Sequence, residues 1–276
     1  MTMTTVDDRR RAFHQLHQSG CFVIPNPWDA GSARALAGLG FPALATTSSG
    51  FAWSMGHQDN GVTLDEVLAH FRSVAGSVDV PVSADFEGGF ASDPAGVAAN
   101  IARAAETGIA GLSIEDSTGV ASAPLVEFSL AVQRIEAARR AIDASAPGLL
   151  LTARSEGFIV GRPDLGETIR RLTAYASAGA DCLYAPGIRS KQDIAAVVRA
   201  VAPKPVNVLV GSDFTNVQEL AALGVRRISV GGALARAAWT GFLQAAREIA
   251  ERGTFEHLGR AVTFADVNGL QAKDSK

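Results

Sequence analysis

The chain has 276 residues, with 25 Lys and Arg against 28 Asp and Glu and a formal net charge of -3. That balance excludes the basic footprint of a nucleic-acid binder, and no stretch reaches the roughly 18 unbroken apolar residues of a membrane-spanning helix. Hydrophobic residues make up 47% and aromatics only 7%, so the apolar weight lies in Ala, Val, Leu and Ile, which suits parallel strands covered by Ala-rich helices.

The N-terminal stretch Met1 to Arg11 is polar and lacks the apolar core of a signal peptide. Short apolar runs then alternate with stretches of helical period. A first strand over Cys21–Asn26 precedes a helix over Asp29–Leu39 that closes near Gly38, and a second strand covers Ala43–Ser48. Thr63, followed by Leu-Asp-Glu, caps a helix over Thr63–Ala75 before a third strand, Val80–Glu87. Asp93 and Pro94 open a helix to Glu106, which closes at Gly108 ahead of a fourth strand, Gly111–Glu115. Strands over Leu149–Arg154, Cys182–Ala185, Pro205–Val210 and Arg227–Val230 complete the set, with a helix over Leu165–Ser177 ending at Gly179. Strict alternation implies parallel strands joined by crossover helices. Eight such units in a chain of this length predict an α/β fold of the closed (β/α)8 TIM-barrel kind, for which roughly 250 residues is typical. An open doubly wound sheet would carry a Gly-rich turn after its first strand, and Pro25 to Asp29 is not one. No linker or charge run divides residues 1–276, so one domain is expected, with a C-terminal tail from about Ala261 that is loose or reaches a partner subunit. The pairs Arg139-Arg140, Arg170-Arg171 and Arg226-Arg227 read as solvated element ends. Cys21 and Cys182 lie in separate apolar runs and read as buried free thiols, which with the missing leader predicts a cytoplasmic protein.

Barrel active sites form where strands end and βα loops begin. Along a strand, residues two apart face the same way, so Asp85 and Glu87 point together at the end of the third strand. Glu115 ends the neighbouring strand. Three carboxylates at one mouth repel unless a cation neutralises them, and a hard ion held by oxygens and waters, Mg2+, is the economical partner. Asp116 reads equally well as a structural group. Arg154 ends the fifth strand and offers a planar fork for a substrate carboxylate. The small polar run Thr47, Ser48, Ser49, Gly50 could hold an anion on its backbone N–H groups. Asn207, inside an apolar strand, must find hydrogen-bond partners if buried. His57, beside Asp59 in a Gly-rich loop, reads as solvated.

These motifs, in order, resemble one known group. Asn26 to Ala30 (Asn-Pro-Trp-Asp-Ala), Thr47 to Gly50, Gly56 to Asp59 (Gly-His-Gln-Asp), Asp85 to Gly89 (Asp-Phe-Glu-Gly-Gly), Ile114 to Asp116, Ala153 to Phe158 (Ala-Arg-Ser-Glu-Gly-Phe) and Pro205 to Asn207 are similar to the isocitrate lyase/phosphoenolpyruvate mutase superfamily, from about residue 15 to 250. The resemblance implies a barrel that assembles as a homo-dimer or homo-tetramer, with a last helix swapped between subunits. It implies Mg2+ and a small 2-oxo or 2-hydroxy acid that reacts through an enolate-like intermediate. By position it makes Asp85 the direct metal ligand, with Asp59, Glu87 and Glu115 reaching the ion through waters. Asp59, Arg154 and Glu115 then serve catalysis, while Thr47, Ser48, Ser49, Gly50, Arg154 and Asn207 bind substrate.

The chain departs from the group after Glu115-Asp116. Isocitrate and methylisocitrate lyases carry a Lys-Arg-Cys-Gly gate there and phosphoenolpyruvate mutases a Lys-Thr-Asn version, whereas this chain has Ser117 to Leu125 with no Lys, Cys or Asn. A carbon–carbon lyase or decarboxylase of an oxaloacetate-like acid or a substituted malate therefore ranks first, because solvent can protonate the enolate. Phosphonopyruvate mutase or hydrolase chemistry ranks second, beside a 2-oxo acid binding protein with no turnover.

Overall fold

The computed structural model describes residues 4–271. Its eight strands are β1 (Phe22–Ile24), β2 (Leu44–Ala45), β3 (Val82–Asp85), β4 (Gly111–Glu115), β5 (Leu150–Arg154), β6 (Cys182–Tyr184), β7 (Val206–Leu209) and β8 (Arg227–Ser229). All pair in parallel in the order β1-β8-β7-β6-β5-β4-β3-β2. The remaining seam is bridged by one backbone bond, Ala45 N–H to Pro25 O at 3.1 Å, so the sheet is a nearly closed (β/α)8 barrel. Each predicted strand is present; β4 keeps its expected bounds, and the other seven are shorter than their apolar runs.

The helices, in chain order, are α1 (Val6–Gln18), α2 (Ala30–Gly38), α3 (Ser48–Ser54), α4 (Leu64–Ala75), α5 (Pro94–Ala105), α6 (Phe128–Ser145), α7 (Leu165–Ser177), α8 (Lys191–Val201), α9 (Val217–Ala222), α10 (Ala233–Arg252) and α11 (Phe264–Gln271). Their starts follow capping chemistry: Thr63 accepts from Glu66 N–H while Glu66 answers to Thr63 N–H, and Asp93 caps α5 with proline at its first position. Two elements differ from expectation. The second strand stops at Ala45, and Thr47 instead caps the short helix α3, so the expected polar loop is a first helical turn. The N-terminal stretch forms α1 behind a Thr5–Asp8 capping box. Its Phe13 is fully buried with Phe22, Ile24, Ala110, Leu150 and Cys182, plugging the end of the barrel opposite the site. Beyond α10, a short 3-10 turn (Leu258–Arg260) and α11 occupy the segment read as a tail, and residues 272–276 of that tail lie outside the described residues.

The arginine pairs are not simply solvated. One member of each turns inward: Arg171 and Arg227 are buried, and Arg139 reaches Asp181 at 3.1 Å. Cys182 is buried, Cys21 is half-buried, and both thiols are free. Among the described residues, no helix is long and apolar enough to cross a membrane.

Candidate active site

A cavity of about 290 Å3 opens at the strand ends, lined among others by Thr47, Ser48, Ser49, Asp59, Asp85, Arg154, Glu156 and Asn207. Most of the residues singled out from sequence therefore meet. A larger groove of about 470 Å3 runs along the start of α7 and contains none of the metal or substrate candidates. The mouth cavity, where charges converge, is the candidate site.

Arg154 organises it. The side chain is 15% exposed, and its three nitrogens each take a different carboxylate: Nη1 to Asp85 at 2.6 Å, Nη2 to Glu115 at 3.1 Å and Nε to Glu156 at 2.9 Å. The register explains this convergence, since Glu115 and Arg154 are direct neighbours across the β4–β5 pair. Its guanidinium also lies 5.3 Å from the centre of the Tyr184 ring. Burial works against its charge, yet Glu115, Glu156 and Asp85 more than offset that and hold its pKa well above the ordinary value. Arg154 is thus the counter-ion of the acidic cluster.

Asp85 is held from three sides. Its Oδ2 accepts from Ser48 N–H at 3.0 Å, its Oδ1 takes Arg154, and its own N–H donates to Thr46 Oγ1 at 2.9 Å. Glu87 is placed differently from the strand-alternation expectation. The strand ends at Asp85, and Glu87 has φ +45°, in the left-handed region. The following turn is clamped by buried Arg134, which donates to the carbonyls of Gly88 and Ala91. Glu87 is half-buried, with a buried Oε1 that no group satisfies.

The carboxyl groups are short of positive charge. Burial, then Asp85 and Asp59, pushes Glu87 up to about 7. Burial also raises Glu115, to about 8, against the pull of Arg154. Asp59 is raised by burial and by Asp85. One guanidinium is shared by Asp85, Glu115 and Glu156, with Asp59 and Glu87 close by.

Among the described residues, no three His, Cys, Asp or Glu side chains stand ready to grip an ion directly. The expected set Asp85, Glu87 and Glu115 is therefore not a direct three-ligand cage, because Arg154 lies between Asp85 and Glu115 and Glu87 leaves the strand line. The donor set does fit an ion held by one carboxylate and waters. It is all oxygen, over-negative and contains an orphaned buried acceptor at Glu87, which suits a hard cation that keeps several waters.

The first turn of α3 carries the small polar residues. Ser48 N–H is used by Asp85, and Thr47 Oγ1 lies 3.2 Å from Ser49 Oγ, leaving hydroxyl groups toward the cavity. Gly50 stands outside that lining. A Cβ there would meet Thr47 Cγ2 at 2.7 Å and Trp28 Cβ at 3.0 Å, so its role is close packing. Asn207 lines the cavity, donates to Ser229 Oγ at 2.9 Å and accepts from Arg227 at 2.9 Å.

Several contributors were not singled out from sequence. Glu156 has a carboxyl raised by burial, and its N–H donates to Asp116 Oδ1 at 2.8 Å. Asp116 in turn takes Tyr175 Oη at 2.6 Å and Arg171 at 3.1 Å, which settles it as a buried brace between β4, β5 and α7. The signal for Glu156 was present, two residues beyond Arg154 at a strand end; Arg134 and Arg227 left none. The segment after Asp116 folds back on itself: Ser117 bridges Leu125 in antiparallel fashion and Thr118 N–H reaches Pro124 O at 3.0 Å.

Comparison with known proteins agrees with this geometry. The family model described as phosphoenolpyruvate phosphomutase matches residues 13–250. The chain belongs to the phosphoenolpyruvate mutase family. It is 32% identical over 258 residues, 93% of this chain and 94% of the other, to an uncharacterized protein of Mycobacterium tuberculosis. It is 30% identical over 226 residues to an oxaloacetate decarboxylase of Rhodopseudomonas palustris, covering 76% of this chain and 74% of that one. A Burkholderia cenocepacia J2315 structure with a provisional lyase/mutase assignment superposes with a TM-score of 0.94 at 50% identity, covering 98% of each chain. A 2,3-dimethylmalate lyase structure gives 0.84 at 26% identity, covering 97% and 95%. The phosphoenolpyruvate mutase/isocitrate lyase relationship and the lyase or mutase class of enzyme are thereby established for this chain.

Proposed function

We propose that this enzyme is a divalent-metal-dependent carbon–carbon lyase of a small 2-oxo or 2-hydroxy diacid, with oxaloacetate decarboxylation or cleavage of a substituted malate as its reaction. The observation that carries the reading is Arg154 gripped by Asp85, Glu115 and Glu156 at the mouth of a polar cavity. Two of the five guanidinium N–H donors are committed to hydrogen bonds with Glu156 and Asp85, and Glu115 is paired through charge, which leaves donor capacity for a substrate oxygen. Asp85 would hold Mg2+ directly, with Asp59 and Glu87 reaching it through waters. Bound there, the ion supplies a positive centre that polarises the oxo group.

The remaining work falls to the chain. The Thr47, Ser48 and Ser49 hydroxyls receive the carboxylate beside the oxo group. Arg154, fixed before substrate arrives, stabilises negative charge as it develops on the oxo oxygen without reorganising. Ile159, Pro186 and Leu209 line the cavity and limit water. The hairpin Ser117 to Leu125 carries no Lys, Cys or His, so the carbanion left by decarboxylation takes its proton from solvent. Relatives described as oxaloacetate decarboxylase and 2,3-dimethylmalate lyase support this choice of bond.

The test is pyruvate formation from oxaloacetate by the full chain with Mg2+, read against Mg2+ alone. The expected result is turnover that falls to background on chelation. Failure to form pyruvate or to cleave any 2-hydroxy diacid above the metal-only rate overturns the reading. In a parallel phosphorus NMR assay, phosphonopyruvate should remain unchanged.

A further inference from the structure

At the mouth, Arg154 has more carboxylates than it can serve. At the floor the position is reversed. Arg227, at the start of β8, is 4% exposed and lines the same cavity. Its partners are all neutral: Asn207 Oδ1 at 2.9 Å, Thr152 Oγ1 at 3.1 Å and His17 Nε2 at 3.4 Å. Among the described residues, no carboxylate lies within ion-pair distance of it. His17 is no counter-ion: its Nδ1 donates to Phe13 O at 2.7 Å, which leaves Nε2 as acceptor, and burial together with Arg227 drops its pKa to about 3. A buried charge without a counter-charge costs several kcal/mol.

The two arginines stand at different depths. Arg227 reaches Thr152, which lies two residues before Arg154 on β5 and faces the same way. Two residues of strand rise about 7 Å. The cavity therefore runs from an acidic mouth, suited to a metal, down to a lone cation.

We propose that Arg227 is a specificity-determining residue whose missing counter-charge is the distal carboxylate of the substrate, received at the cavity floor with the help of Asn207 and Ser229. The oxo end of the acid faces the mouth and the second carboxylate points toward the floor, which selects four-carbon diacids over monoacids. This rests on reading the cavity as an oxo-acid site, but it concerns binding rather than turnover.

Calorimetry on the full chain with Mg2+ tests it. Succinate, and butyrate of equal length without the distal carboxylate, are titrated into the wild-type protein, followed by succinate and pyruvate into Arg227→Met and Arg227→Lys. Succinate should bind at least tenfold tighter than butyrate. Arg227→Met should lose tenfold or more for succinate and less than threefold for pyruvate, and Arg227→Lys should recover much of the succinate affinity. Equal binding of succinate and butyrate overturns the proposal, even if Arg227→Met does not fold, and so does an equal loss for succinate and pyruvate. If diacid selectivity is found without pyruvate formation from oxaloacetate, the floor stands and the lyase reading falls.

Discussion

Arg154 joins three carboxylates that would otherwise face one another in a partly dry cavity, so its removal should be felt twice. Arg154→Gln leaves Asp85, Glu115 and Glu156 without their cation, and breaking a buried pair by removing one partner costs about 3–5 kcal/mol. On the proposed mechanism the same change also removes a fixed donor from the reacting oxygen, worth about 10²–10³ in kcat. Oxaloacetate turnover and urea unfolding measured on one preparation should show both losses. Arg154→Lys should recover little of either, since one ammonium cannot match a planar fork that serves three acceptors. A structural residue of the same network separates the two effects. Tyr175 donates to Asp116 at 2.6 Å from a fully buried position, and Tyr175→Phe should cost about 1.5–3 kcal/mol, the worth of a hydrogen bond to a charged group. Its kcat should fall far less than that of Arg154→Gln.

At the scale of elements, α1 is the plug of the barrel and Gly111 is the position that lets it seat. A Cβ at Gly111 would lie 2.7 Å from Phe13 Cε1 and 3.0 Å from Leu150 O, which is backbone and cannot give way. Gly111→Ala should therefore lift Phe13 and destabilise the chain by about 1–3 kcal/mol, in the range of overpacked cores. Because Gly111 begins β4 and Glu115 ends it, the stability loss read by thermal melts should exceed any change in KM. The strands themselves were legible because parallel strands buried on both faces are unbroken apolar runs, and Asp85, Glu115 and Arg154 were legible as charges at the ends of those runs. Other features were not. The left-handed φ of Glu87 depends on a turn that Arg134 clamps from 46 residues away. The inward turn of Arg171 and Arg227 depends on Asp116 and His17, 55 and 210 residues distant, and local sequence does not encode such partners. The helix α3 replaced an expected loop because Thr47 caps it, a choice that Ser/Gly composition alone leaves open.

Two histidines are buried and neutral among the described residues. His17 is depressed to about 3 by burial and then Arg227, and His70, stacked 4.0 Å from the Phe51 ring, is depressed to about 4 by burial. Both folded values lie below the unfolded value of about 6.5. At these two sites the unfolded chain therefore takes up protons first as pH falls, and the stability the pair contributes above about pH 6.5 is lost from there down toward their folded values. Each histidine contributes a slope of up to about 1.4 kcal/mol per pH unit, which Glu87 and Glu115, raised in the fold, oppose over the same range; urea melts between pH 7 and 5 are therefore read as a difference, with wild type losing stability relative to His70→Gln as pH falls. The molecule also leaves an apolar surface uncovered. Phe242 is 59% exposed, Phe255 61%, Val262 75% and Phe264 83%, all on α10 and the segment that follows it, and Trp239 adds to the same side. Single exposed apolar residues are ordinary, but five large ones on α10 and the segment that follows it mark a candidate interface. Glu248 fixes the direction of that segment, since its buried carboxylate accepts from Thr254 Oγ1 and from the N–H groups of Glu256 and His257. An arm that exposes these apolar side chains while α11 rests on α2 of its own chain is suited to a second copy, in keeping with the homo-dimer or homo-tetramer expected from the family resemblance. Light scattering coupled to size-exclusion chromatography should therefore report at least a dimer at micromolar concentration. Phe242→Asp combined with Phe264→Asp should shift the mass toward one chain without loss of helical circular dichroism. A wild-type protein that runs as a monomer across that range would show that the arm covers something other than its own copy.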